Sequence, residues 1–183
     1  MSSFASMTHP LDEFYARRDA RLPPLEQIDG EAMPEPYKGL LVHQKDMTST
    51  LEAFHGRRVH LRVLSQERQG QDYVREVVLQ LEGTGLPVEF GAIRIHLDLF
   101  PLAAREQILQ AQWPLGHILK DHAIAYLSRP GAFLRIASDP LINSVLGLTG
   151  AQLLYGRRNT LLDLAEHPLA EIVEILPPSK GFN

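Results

Sequence analysis

The chain has 183 residues, 44% of them hydrophobic and 22% charged, and a formal net charge of -4: enough to close one core without staples, with no general field for nucleic acid or an anionic membrane. The absence of cysteine excludes disulfides, thiolate catalysis and cysteine-ligated zinc. No apolar run approaches the ~20 residues that span a bilayer, and the start lacks an apolar signal-peptide centre, so a cytoplasmic protein with no membrane contact is expected.

In chain order, "HPLDEFYARRDA" reads as a short amphipathic helix through Leu11, Phe14 and Tyr15. The stretch after it is too rich in Pro and Gly for a long element, so residues 1–36 are expected to form an extended N-terminal arm and residues 37–183 a single domain. "KDMTSTLEAFHG" is a helix with Asp46 as N-cap and Gly56 as stop. "RRVHLRVLSQ", "YVREVVLQLEG" and "VEFGAIRIHLDLF" are strands joined by short polar turns, which makes an antiparallel meander. Helices follow at "PLAAREQILQAQ" and at "WPLGHILKDH", the second with Pro114 at its first position. "GAFLRIASDP" is a strand and "DPLINSVLG" a helix capped by Asp139. The chain ends on strands "AQLLYGRRNTLLDL" and "LAEIVEILPP", separated by a turn at "AEHP". The expected class is α+β, a single antiparallel β-sheet with helices inserted between strands.

Within "DYVREVVLQLEG", period-2 alternation puts Tyr73, Arg75, Val77, Leu79 and Leu81 on one face. A guanidinium cannot shed its proton, so a buried Arg75 needs an anion, either a carboxylate of this chain or one of a ligand. In the last strand Glu174 shares a face with Ala170, Ile172 and Leu176, and Glu171 shares the other with Leu169, Val173 and Ile175. At least one of the two is expected in the core, either as an internal partner for Arg75 or as a group that handles a proton or hydroxyl. In "WPLGHIL" the amides of Leu115 and Gly116 fall in a first helical turn, and Gly116 lets a ligand approach the backbone. "GRR" at Gly156 to Arg158 reads as a solvated strand with a bulge-prone glycine. His117 and His122, five apart, suit packing better than metal binding. No P-loop, dinucleotide fingerprint or nucleophile elbow occurs.

Five landmarks, "DMTSTLEAF", "YVREVVLQLEG", "WPLGHIL", "LLYGRRNTLL" and "PLAEIVEILPP", resemble chorismate lyase (chorismate-pyruvate lyase) and its wider superfamily in content and order. The likeness spans about residues 37 to 178. It implies a chorismate lyase-like fold and cofactor-independent conversion of chorismate to 4-hydroxybenzoate and pyruvate, a reaction that feeds quinone biosynthesis. By the same resemblance Arg75 binds the ring carboxylate, the backbone of Leu115 helps hold it, Met47 lines the pocket through its main chain, and Glu174 faces the ring hydroxyl, with Glu171 in reserve.

The segment "GLPVEFGAIRIHLDLFP" departs from the lyases and marks a divergent branch. Its Arg94 and His96 share a face with Val88, Phe90 and Ala92, which leaves them either at the pocket, altering its substrate, or exposed at a strand end. The enzyme reading leads, with an aromatic or cyclohexadiene carboxylate as substrate and no metal, cofactor or nucleic acid. The alternative is a non-catalytic binding protein of the same fold, a fold that also serves as the effector domain of bacterial transcription regulators. Those carry a helix-turn-helix domain, for which residues 1–36 are too few, so a free-standing module is expected. A third reading keeps Arg75 and Glu174 as a purely structural ion pair.

Overall fold

A computed structural model describes residues 6–179; the outer ends of the expected arm and domain, residues 1–5 and 180–183, lie outside them. The elements run α1 (Leu11–Arg17), β1 (Leu25–Ile28), α2 (Tyr37–Leu41), α3 (Met47–His55), β2 (Val59–Gln69), β3 (Asp72–Leu81), β4 (Pro87–His96), α4 (Leu102–Leu109), α5 (Leu115–Asp121), β5 (Leu127–Ala137), α6 (Pro140–Leu146), β6 (Leu153–Leu162) and β7 (Pro168–Leu176). The seven strands form one sheet in the order β1-β5-β6-β7-β4-β3-β2, and every neighbouring pair is antiparallel. This is the expected α+β class.

Local chemistry sets the helix limits. The Asp46 carboxylate accepts from the Ser49 amide at 2.8 Å to cap α3, and Gly56 ends it at φ 62°. Asp139 caps α6 in the same way through Ile142. Pro114 has ψ 144°, so it caps α5 instead of occupying the first helical position, one residue off the sequence expectation. Strand β1 was not legible: four residues inside a Pro-rich stretch carry too little alternation, and pairing with β5 makes the strand.

Two apolar layers cover the sheet. Leu11, Phe14 and Tyr15 of α1 and Ile142, Val145 and Leu146 of α6 pack on one face, against Val74, Val78, Phe90, Ala92, Val173 and Ile175. The arm therefore supplies part of this core. Helices α2 to α5 cover the other face in two clusters, one around Leu79, Leu81 and Leu51, the other around Ile93, Ile95, Ile108 and Ile118. Between these clusters the second layer is open. A cavity lies there.

Candidate functional site

Register builds the site in rows. On the face under α2 to α5, Arg75, Ile93, Ile172 and Asn159 stand side by side across β3, β4, β7 and β6. The next row along the strands is Val77, Gly91, Glu174 and Arg157, and the third is Leu79, Glu89, Leu176 and Tyr155. Successive rows on one face lie about 6.7 Å apart. Gly91, at the centre of the middle row, carries no side chain, and a cavity opens above it. Arg75, Val77, Glu89, Ile93, Asn159, Glu174 and the starts of α3 and α5 line that cavity.

Arg75 is 1% exposed. One nitrogen, Nη2, donates to the Trp113 carbonyl at 3.3 Å, and the guanidinium carbon sits 5.9 Å from the Tyr73 ring centre. Its Nε and Nη1 have no hydrogen-bond partner among the described residues, and no carboxylate pairs with it. Burial pushes its pKa below the ordinary guanidinium range, with the nearby Tyr73 opposing. An enclosed cation left this way is costly unless an anion arrives.

Glu174 is 3% exposed and does not meet Arg75. Its Oε2 accepts from Arg157 Nε at 2.5 Å, which overturns the internal Arg75–Glu174 pair. Arg157 is wholly buried and also donates to the carbonyls of Leu41 and His43, each at 3.1 Å, and of Lys45 at 2.9 Å. The expectation of a solvated "GRR" strand is therefore corrected: Arg157 and Arg158 are both buried. Gly156 is not a bulge but a close approach, since a Cβ there would stand 2.4 Å from the Glu174 carbonyl. The hairpin held the missed signal. Counting outward from "AEHP" pairs Leu161 with Ala170 and then Arg157 with Glu174.

Met47, Leu115 and Gly116 all line the cavity rim with Asp46 and Thr48. The space a Gly116 side chain would fill holds the Asp46 Oδ1 at 2.5 Å and the Thr48 Oγ1 at 2.7 Å. Its smallness lets the starts of α3 and α5 touch. The Tyr126 hydroxyl donates to Asp46 at 2.8 Å and braces the same junction.

Glu89 was also missed. It is 4% exposed, faces the cavity and has no partner for Oε2. Its signal was the alternation Glu89, Gly91, Ile93, Ile95 along β4, opposite the face that drew attention to Arg94 and His96. Those two turn away from the cavity, because their alternation follows Phe90 and Ala92 into the α1 layer. There Arg94 binds Asp72 at 2.7 Å and Glu13 at 2.5 Å, and His96 binds Asp72 at 2.8 Å. Glu171 is on that face too, held by Arg158 at 2.8 Å, so Glu174 alone of the two candidate carboxylates reaches the cavity. His117 pairs with Glu52 at 2.8 Å and His122 with Gln107 at 2.7 Å. No cluster of three or more His, Asp or Glu fit for a metal occurs among the described residues, and no helix there is long and apolar enough to cross a membrane.

No protein-family model and no curated protein matches this sequence. Solved structures do match. The effector domain of PhnF from Mycobacterium smegmatis superposes with a TM-score of 0.56 at 11% identity, over 74% of this chain and 90% of that one. A longer PhnF structure gives 0.56 at 11%, over 75% of this chain and 66% of that one. The ligand-binding domain of a protein assigned to the GntR-family transcriptional regulators, from Bordetella bronchiseptica, gives 0.51 at 12%, over 65% and 85%. At such identities the likeness is one of fold. The fold is the one those ligand-binding and effector domains adopt.

Proposed function

We propose that this protein binds a small cyclic carboxylate in the cavity over Gly91, with Arg75 as the anchor. One observation carries the reading: a fully buried guanidinium, with two nitrogens unpartnered and no carboxylate paired to it among the described residues, lines a cavity. A ligand carboxylate can accept a charge-assisted hydrogen bond from this unsatisfied cation. Met47 and Leu115, which open α3 and α5 at the rim, then contribute backbone contacts. The apolar walls, Val77, Leu79, Ile93, Leu161 and Ile172, suit a ring. Fold neighbours described as a ligand-binding domain and an effector domain fit a binding role without establishing it.

A second reading, chorismate lyase, is favoured by the arrangement of Arg75, Leu115, Met47 and Glu174 around a single cavity. In that reaction the ring–oxygen bond to the enolpyruvyl group breaks, the neighbouring ring carbon loses its proton, and the ring becomes aromatic. Enolpyruvate then tautomerises to pyruvate. The protein would orient the dianion, exclude water and assist one proton transfer through Glu174.

Calorimetric titration with benzoate and chorismate tests both. Binding to the wild type, weakened at least about 30-fold in Arg75→Met, is the expected result. Equal binding by the variant would move the anchor elsewhere. Incubation with chorismate then separates the readings: pyruvate and 4-hydroxybenzoate released together, and lost in Arg75→Ala, mean a lyase, whereas binding without pyruvate means a binding module.

A further inference from the structure

Among the described residues, Glu89 brings to the cavity a carboxyl oxygen, Oε2, that no hydrogen bond satisfies. Its Oε1 lies 3.0 Å from the position a Cβ of Gly91 would take, so the side chain leans along β4 and over the glycine into the cavity. Its Oε2 is buried with no partner. Four charged groups face it. Glu174 on β7 lies in the adjacent row, Arg157 on β6 stands behind Glu174, Asp46 caps α3 above, and Arg75 on β3 lies two rows away.

Every nitrogen of Arg157 is engaged elsewhere, and none bonds Glu89. Nε holds Glu174, Nη1 holds the Leu41 and His43 carbonyls, and Nη2 holds the Lys45 carbonyl. Asp46 is likewise engaged by the Ser49 amide and hydroxyl and by Tyr126. Two enclosed carboxyls thus share one committed cation, and the one without a donor keeps its proton. Burial, then the Glu174 carboxylate, push the Glu89 pKa well above the ordinary 4.5, with Arg157 opposing.

We infer that Glu89 is a specificity-determining hydrogen-bond donor: as a neutral carboxylic acid it reads an acceptor oxygen on the ligand, at the end opposite the carboxylate. The inference rests on the cavity reading above and sharpens its ligand class. The occupant is a ring-sized molecule with a carboxylate at the Arg75 row and a carbonyl, ether or hydroxyl oxygen toward the Glu89 row. An aromatic acid bare at that end leaves the Glu89 proton unsatisfied, and a second anion there is rejected.

Two measurements test it. Benzoate and 4-formylbenzoate, whose distal oxygen can only accept, are titrated into wild type, Glu89→Gln and Glu89→Leu. Wild type should prefer 4-formylbenzoate about 10-fold, Glu89→Gln, which keeps an N–H donor, should retain the preference, and Glu89→Leu should lose it. A preference unchanged in Glu89→Leu overturns the proposal. Separately, NMR of protein with 13C-labelled glutamate carboxyls follows ionisation without any ligand. The signal that Glu89→Gln removes should keep its protonated position at pH 7; a midpoint below pH 5 overturns the proposal alone, even if Arg75 binds carboxylates. If neither probe binds wild type, the carboxylate-binding reading falls and takes the ligand half of this proposal with it.

Discussion

The two faces of the sheet handle charge in different ways. Under α1 and α6, Arg18 meets Glu76, Arg94 meets Asp72 and Glu13, and Arg158 meets Glu171. Each of these guanidiniums has a carboxylate of its own chain. Under α2 to α5, Arg157 follows the same rule with Glu174, but Arg75, just as enclosed, meets a carbonyl oxygen and Tyr73 and pairs with no carboxylate of the described residues. Two contacts of the first face attach the arm: Glu13 on α1 reaches Arg94 on β4, and Arg18, just after α1, reaches Glu76 on β3. The exception on the second face sits beside the cavity. Burial of charge is thus not by itself a sign of function in this protein; burial without a counterion is.

The largest way to break the contrast is to make a second Arg75. Glu174→Leu strips Arg157 of its carboxylate while its carbonyl contacts remain, and it should lower unfolding free energy by about 3–5 kcal/mol in urea titrations. A loss below about 1 kcal/mol would mean that the carbonyls alone suffice, and Arg75 would then need no ligand.

The opposite face gives the next effect through pH. The His96 contact, with Arg158 and His9, depresses the Glu171 pKa from 4.5 to about 2, while the same Glu171 contact raises that of His96 above 6.5. A depressed carboxylate stabilises above its unfolded pKa and stops doing so as pH falls through the folded value. A raised histidine stabilises below its unfolded pKa and stops doing so as pH climbs through the folded value. The pair therefore contributes most between about pH 4.5 and 6.5 and fades toward pH 2 on the acid side. Wild type should lose about 2 kcal/mol over that acid limb that Glu171→Gln lacks, visible in urea midpoints measured from pH 6 to pH 3.

The smallest effect sharpens the comparison most. Arg75→Met removes an unpaired buried cation and leaves an apolar chain of similar reach, so stability should hold or rise by about 1 kcal/mol while carboxylate binding disappears. A residue kept at the expense of stability is one selected for its ligand. A marked loss of stability in Arg75→Met would instead assign the residue to the core.

Much of the fold was legible because its signals are local. Alternation marked the six longer strands, Asp46 and Asp139 marked helix starts, and Gly56 marked a stop, each within a few residues of chain. Arg75 and Glu174 were visible as charged residues breaking apolar faces. Strand β1 was not visible, since four residues in a Pro-rich arm become a strand only by pairing with β5. The partner of Glu174, the role of Gly91 and the isolation of Glu89 were not visible either. Each depends on which strands adjoin and in what register, and alternation fixes which residues share a face without saying what faces them. Arg94 and His96 show the same limit, since only the packing of α1 decides which layer their face enters. Local sequence marked the longer strands, most helices, the fold class and the charged residues a core must explain. The tertiary structure alone decided which of those charges are answered within the chain, because a counterion is a neighbour in space and a sheet takes its neighbours from distant parts of the sequence.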